Sequence, residues 1–337
     1  MSYNIAIVGS TGIVGKELLK LLETSNIKIK NLKLFASQKS VGKKLVFRKN
    51  NHIIQSLNLQ SLKNLDFIFF AAGSKISKKY IPKLKNSKTY VIDLSSAFRN
   101  KKDIPLIIPE INSKILDLKT TDLKKSNIIA SPNCTTTIML MALHNLHKTF
   151  KIKRIVAATY QAASGGGKKL MDQLINDTKN HLNPEKISED NLYGFNLFLH
   201  ESESNEKKYS QEEMKMILET QKILDDKNIK ITSTCVRVPV LRAHSIALNV
   251  EFEKKFSITE IYEILEKTKN VKIFEDFKKN KFITPQMASF QKEVFVSRIR
   301  QDISNPKAID LWVCADQLLK GASLNAFQIL QSLLKIK

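Results

Sequence analysis

Cys134 lies in the run Ala130-Ser131-Pro132-Asn133-Cys134-Thr135-Thr136-Thr137. Pro132 disfavours helical geometry at Ser131, and a helix-period run follows over residues 138–148. The thiol is therefore expected at or just before a helix N-terminus, where backbone N–H groups and the positive dipole end favour a thiolate. That makes Cys134 a candidate nucleophile; the alternative is a small buried hydrophobe. Arg237, Arg242 and His244 fall within eight residues, around Pro239. A guanidinium suits a carboxylate or phosphate, and a His beside Arg resists protonation and can act as a neutral base. The alternative is a structural His. Arg99 ends Ser95-Ser96-Ala97-Phe98-Arg99 after a strand; it suits an anion, or a surface ion pair. Glu212 and Lys215 are one helical turn apart, as in an ordinary helical salt bridge.

The elements that must place these groups begin with a strand over residues 3–8, running into Gly9-Ser10-Thr11-Gly12-Ile13-Val14-Gly15 and an apolar-periodic helix. Strand, glycine turn and helix together suit a dinucleotide pyrophosphate, against a plain glycine turn as the alternative. The next strand, residues 32–36, ends in Ser37-Gln38-Lys39-Ser40 with no acidic residue for the ribose hydroxyls. Hydroxyls and a lysine suit a 2′-phosphate, hence NADP; a solvated polar turn is the alternative. Strands over 66–72, 89–94 and 127–130 alternate with a helix over 77–84. That pattern implies a doubly wound, largely parallel sheet.

In the second half, a strand over 154–160 leads to Gln161-Ala162-Ala163-Ser164-Gly165-Gly166-Gly167 and a helix from 168 to about 180. This second glycine-rich turn can approach a ligand closely, or serve as a connector. Residues 181–209 are polar and irregular, and Ser210 with Glu213 forms a capping-box pattern. Strands over 228–236, 245–252, 293–297 and 308–314, with a helix over 258–269, imply an α+β domain with a mixed or antiparallel sheet. A final amphipathic helix over 316–336 is expected to return to the first domain. The boundaries read 1–132 plus 316–337, and 133–315.

A chain of 337 residues with 42% hydrophobic and 26% charged residues fits two folded domains. No apolar run approaches the ~20 residues of a membrane span, and the N-terminus carries no signal-peptide pattern. Three widely spaced cysteines fit a reducing cytoplasm. The net charge of +23 raises a nucleic-acid partner, but only seven of the 55 basic residues are Arg. The lysines are dispersed rather than gathered with aromatics into one patch. His144-x-x-His147 has no companion ligand at metal spacing, so no metal is expected, and no G-x-S-x-G elbow supports a serine hydrolase.

Taken in order, several segments resemble the aspartate-β-semialdehyde dehydrogenase family. They are Val8 to Gly15, Asp93-Leu94-Ser95-Ser96-Ala97-Phe98-Arg99, Ile108-Pro109-Glu110-Ile111-Asn112 and Ser131-Pro132-Asn133-Cys134-Thr135-Thr136. Later come Thr159 to Gly165, Glu212-Glu213-Met214-Lys215, Arg237 to His244 and Lys320 to Ala326. The resemblance implies a Rossmann-type domain plus a catalytic and dimerisation domain, assembled as a homodimer. It makes Cys134 the acyl-accepting nucleophile, Gln161 the residue that orients the intermediate, and His244 the general acid/base. Arg237 would bind the substrate carboxylate and Glu212 its amino group, while Arg99 and Lys215, with Asn133 beside them, would hold phosphate. NADP would sit on Gly9, Ser10, Thr11, Gly12, Ile13, Val14 and Gly15, with Ser37, Lys39 and Ser40 toward its 2′-phosphate and Ser164, Gly165 and Gln317 near the nicotinamide. The implied reaction is NADPH-dependent reductive dephosphorylation of L-aspartyl 4-phosphate to L-aspartate 4-semialdehyde. N-acetyl-γ-glutamyl-phosphate reductase is the enzymatic alternative, and a basic nucleic-acid-binding protein on a dehydrogenase-like fold the alternative of another class. Departures from the family pattern are Gln38-Lys39 for Arg, Ile246 for Glu, Gln317 for Asn, and a missing Pro in residues 195–200.

Overall fold

In the computed structural model, β1 (Tyr3–Val8) enters the glycine turn and α1 (Ile13–Glu23) leaves it. The structure describes residues 1–116, 126–183, 185 and 193–336. The chain divides into two units, Met1–Pro132 with Ala322–Lys337, and Asn133–Gly321.

The first unit continues with β2 (Ile29–Ala36), β3 (Lys44–Phe47), β4 (Asn50–Ser56), β5 (Phe67–Phe70), α2 (Ser74–Tyr80), β6 (Tyr90–Asp93), α3 (Pro109–Asn112) and β7 (Ile128–Ala130). Its sheet runs β3-β4-β2-β1-β5-β6-β7. Every pair is parallel except the β3–β4 hairpin. Strands β1 and β5 are apolar on both faces, with Ile5, Ile7, Phe67, Ile68, Phe69 and Phe70 buried, as a parallel sheet covered on both sides requires. Only the C-terminal ends of the strands are left for a ligand.

The second unit holds α4 (Cys134–Phe150), β8 (Ile152–Gln161), α5 (Lys168–His181), β9 (Phe198–Leu199), α6 (Gln211–Ile223), β10 (Lys230–Arg237), β11 (His244–Phe252), α7 (Ile258–Lys267), β12 (Val271–Ile273), β13 (Glu275–Asp276), β14 (Lys281–Phe282), α8 (Pro285–Ala288), β15 (Val294–Gln301) and β16 (Ala308–Ala315). The main sheet runs β12-β15-β16-β11-β8-β10-β9. Only the β12–β15 and β8–β10 pairs are parallel, so the sheet is mixed and largely antiparallel.

The last helix, α9 (Leu324–Ile336), belongs to the first unit, where it packs on α1 and α3. It starts eight residues later than the sequence pattern indicates, and residues 316–321 stay with the second unit. Asp316 explains the delay. Its carboxylate accepts from the N–H groups of Leu318 and Leu319, and from Arg242 Nε and the Phe290 N–H at 2.6 Å each. A π-helical turn, Leu319–Ser323, then precedes α9.

The β3–β4 hairpin was not visible in the sequence. Its turn residues Arg48 and Lys49 have φ of +48° and +67°, where Asn and Gly are usual. Arg48 is held there by its own side chain, whose Nη2 donates to the carbonyls of Leu22, Ser25 and Ile27. The irregular stretch expected over 181–209 falls partly on residues 184 and 186–192, outside the described residues.

Candidate active site

Sheet register alone gathers three of the expected groups. Strand β10 runs parallel to β8 with Arg237 opposite Gln161, so both strands end at one edge of the sheet. Strand β11 runs antiparallel to β8 with Ser245 opposite Tyr160, so its first residue, His244, starts at that edge. Adjacent strands are about 4.8 Å apart, which brings Gln161, Arg237 and His244 into mutual reach. All three side chains are buried.

The backbone of Ala162 orients two of them. Its N–H donates to His244 Nδ1 at 2.9 Å, and its carbonyl accepts from Arg237 Nη1 at 3.0 Å. A neutral imidazole that accepts at Nδ1 carries its proton on Nε2, and His244 Nε2 is buried with no hydrogen-bond partner among the described residues. Burial first, and then the Arg237 charge, push the His244 pKa down to about 3, against the opposing pull of Glu212. The ring is thus a neutral Nε2–H donor waiting for an acceptor.

Cys134 is the first residue of α4, capped by Asn133. Asn133 Oδ1 accepts from the N–H groups of Thr135 and Thr136 at 3.0 and 3.3 Å and from the Thr135 hydroxyl. The expected helix start is there, with its second and third N–H groups already satisfied by the cap. Helix α6 holds the cap from outside. Glu219 Oε2 accepts the Asn133 N–H at 2.6 Å, and Glu212 Oε1 accepts from Asn133 Nδ2 at 2.9 Å. Sequence pattern missed Glu219; its only signal was the spacing from Glu212, two turns along the helix.

Glu212 also accepts from Gln161 Nε2 at 3.2 Å and pairs with Lys215 Nζ at 2.8 Å. Burial alone raises its pKa, but Lys215, His200 and the donor from Asn133 outweigh that and bring it down to about 2. The carboxylate is charged over the whole working range. Three donors occupy roughly three of its four lone-pair directions, leaving room for one more cationic donor. The α6 start is the expected capping box of Ser210 and Glu213.

Two glycines keep the site open. A Cβ on Gly165 would stand 3.1 Å from both Arg237 Nη1 and His244 Nε2, and one on Gly321 would stand 2.8 Å from Cys134 Cβ. Gly165→Ala is therefore expected to lower kcat/KM by about tenfold or more with little change in Tm, because the crowded atoms are side-chain ends. An unchanged kcat/KM would show that the space above these two side chains is unused. Ser164 and Gln317 are joined, Gln317 Nε2 donating to Ser164 Oγ while its Oε1 accepts the Ala243 N–H at 2.9 Å. Gln317 thus braces the two turns on either side of His244.

The remaining expected residues lie in the first unit. Arg99 is buried, donating from Nε to the Ser131 carbonyl and from Nη2 to the Leu94 carbonyl, each at 2.9 Å. At the glycine turn, Gly9 has φ +93°, and a Cβ there would meet Ala71 O at 2.5 Å. A Cβ on Gly15 would meet Gly9 O at 2.2 Å. Helix α1 follows Gly12 at its N-cap, with no side-chain cap and no acidic residue in its first turn, so its N-terminal N–H groups fit a pyrophosphate. The Ser10 hydroxyl turns inward and donates to the Phe35 carbonyl at 3.2 Å. Ser37 and Lys39 are exposed and Ser40 half-buried beyond the end of β2, a chemistry that fits a 2′-phosphate. Thr11, Ile13 and Val14 are half-buried along the turn. The residues present therefore fit NADP.

Among the described residues no group of three His, Cys, Asp or Glu could hold a metal, and no helix is long and apolar enough to cross a membrane. His144 Nδ1 lies against the carbonyls of Leu140 and Met141, and His147 Nδ1 accepts the Ile152 N–H. Ile246 is a core residue of β11.

Family models place the chain among the semialdehyde dehydrogenases, matching residues 4–118 to their NAD binding domain and 143–320 to their dimerisation domain. Aspartate-semialdehyde dehydrogenase of Synechocystis sp. is 43% identical over 335 residues, covering 98% of this chain and 97% of that one. The Aquifex aeolicus enzyme of the same name is 41% identical, with 99% of each chain covered. A crystal structure of aspartate semialdehyde dehydrogenase II from Vibrio cholerae, complexed with ASA, matches with a TM-score of 0.91 at 34% identity and 99% coverage of both chains. The chain belongs to the aspartate-semialdehyde dehydrogenase family.

Proposed function

We propose that the chain catalyses NADPH-dependent reductive dephosphorylation of L-aspartyl 4-phosphate to L-aspartate 4-semialdehyde. It does so as a cytoplasmic homodimer, in the biosynthesis of lysine, threonine, methionine and diaminopimelate. The observation that carries this reading is the linked set Cys134, Asn133, Glu212, Gln161, Arg237 and His244 within one unit, ending in a buried His244 Nε2 that has no partner among the described residues.

Cys134 Sγ attacks the acyl carbon; the C–O bond to phosphate breaks, and phosphate leaves with the electron pair. The resemblance assigns the neutralisation of that group to Arg99 and Lys215, with Asn133. Arg237 holds the substrate carboxylate, and Glu212 offers its remaining lone pair to the ammonium group. Gln161, fixed between Thr159 and Glu212 at 3.0 and 3.2 Å, orients the thioester. NADPH, when bound on the Gly9–Gly15 turn, supplies the two-electron reducing equivalent. His244 Nε2–H donates to the carbonyl oxygen as negative charge grows there. Collapse of the thiohemiacetal oxyanion re-forms C=O and expels the Cys134 thiolate, so this step needs no proton from the ring. The resemblance implies a general acid/base at His244; the acceptor bond at Nδ1 favours a fixed donor.

The purified chain is expected to reduce NADP in the presence of phosphate and aspartate semialdehyde, faster than NAD. It should be inactive toward N-acetylglutamate semialdehyde. No phosphate-dependent NADPH formation, together with salt-dependent binding to RNA or DNA, would refute the reading in favour of the basic-protein alternative.

A further inference from the structure

His200 is one residue beyond β9, in a stretch that offered no motif. Strand β9 pairs antiparallel with β10, Phe198 opposite Arg237, and the His200 N–H donates to the Cys235 carbonyl at 2.9 Å. This places the imidazole beside the buried Arg237. Arg237 Nη2 lies 3.0 Å from His200 Nε2, while Nη1 donates to the Ala162 carbonyl. The two terminal nitrogens of the guanidinium are thus held from two sides, and each keeps a second N–H for a ligand.

Resting on the reading of Arg237 as the substrate-carboxylate site, we infer that His200 is a positioning residue for it: its neutral ring accepts from Nη2 and fixes the fork. The geometry requires the neutral form. Nε2 faces the guanidinium at 3.0 Å and Nδ1 faces the Ser202 N–H at 3.3 Å, so both partners are donors; a neutral ring has one lone pair to offer, and the shorter contact gives it to Arg237, with the ring proton on Nδ1. An imidazolium has no lone pair for either and adds a like charge beside Arg237. The surroundings agree with this. Burial, and then Arg237 and Lys215, hold His200 below the usual histidine range, while Glu212 and Glu201 oppose them. Arg237 faces the ring from β10, Glu212 and Lys215 from α6, and Glu201 is adjacent in the chain. The loop is anchored to α6 as well, since Ser202 Oγ accepts the Glu212 N–H at 3.1 Å. His200 therefore couples the arginine that takes the carboxylate to the helix that carries Glu212.

The test compares wild type, His200→Leu and His200→Gln in phosphate-dependent oxidation of aspartate semialdehyde between about pH 5 and 8.5. Loss of the acceptor in His200→Leu should raise KM for the semialdehyde about tenfold while KM for NADP stays unchanged. His200→Gln supplies an uncharged acceptor and should return KM to within about threefold of wild type. It should also abolish the acid-side rise in KM that protonation of His200 gives the wild type. An unchanged KM in His200→Leu, or an acid rise that persists in His200→Gln, overturns the assignment. If His200→Leu does not fold, the pH profile of His200→Gln decides alone. A wild type inactive on the semialdehyde at every pH would refute the functional reading itself, and the assignment with it.

Discussion

Cys134→Ala is expected to abolish turnover, by a factor on the order of 10⁴ to 10⁶, while NADPH binding is retained. The substitution removes one sulfur at the start of α4 and leaves the Asn133 cap intact, because the cap is built from Asn133, Thr135, Glu212 and Glu219. No other thiol can take over. Cys235 and Cys314 are buried, and burial pushes their pKa values up to about 12 and about 11. Cys134 alone is partly accessible. Brief treatment with iodoacetamide should therefore add one carbamidomethyl group, on Cys134, and stop the enzyme. Denaturing mass spectrometry of the wild type quenched with aspartyl phosphate, without NADPH, should show an aspartyl adduct on the same residue. Alkylation of Cys235 or Cys314 at a comparable rate, or residual turnover in Cys134→Ala above about 1%, would remove Cys134 as the covalent station.

What the sequence disclosed follows from how local each signal is. The glycine turn, the Ser210–Glu213 capping box and the Pro132 break are set by neighbouring residues, so they could be read directly and occur as read. The largely parallel first sheet followed from alternation of apolar strands and helices. The β3–β4 hairpin was hidden because Arg48 and Lys49 contradict turn preference, and the compensating bonds come from residues more than 20 positions away. The late start of α9 was hidden for a similar reason: Asp316 reads as a helical residue until Arg242 and Phe290 are brought against it. At the site, resemblance supplied the residues but not their connections. Glu212 was expected to meet an amino group. In the structure it joins Asn133 and Gln161, besides the Lys215 that its spacing indicated. His200 carried no motif and Glu219 only its two-turn spacing from Glu212, because a lone His and a helical Glu acquire meaning only through Arg237 and the Asn133 N–H.

Variants at His244 should separate a hydrogen-bond donor from a proton-transfer group. His244→Ala removes the Nε2–H and is expected to lower kcat by roughly 10² to 10³, the usual cost of one oxyanion donor. His244→Gln places an amide N–H near the same point but cannot shuttle a proton at neutral pH. It should recover most of that loss in kcat; the Ala162 N–H left without its Nδ1 acceptor costs stability instead, about 1–3 kcal/mol. A general acid/base at this position predicts the opposite: Gln as impaired as Ala, and a wild-type kcat that falls through a near-neutral pKa. Stability gives a second readout. The folded pKa, about 3, lies below the usual histidine value of 6.5, so the unfolded chain binds the proton first. Stability is therefore lost as pH falls from about 6.5 toward 3. His244→Gln removes that linkage and should lose less stability than wild type between pH 7 and pH 5 in urea unfolding. An equal loss in both proteins would mean that the ring accepts a proton readily in the folded state, and the fixed-donor assignment would fail with it.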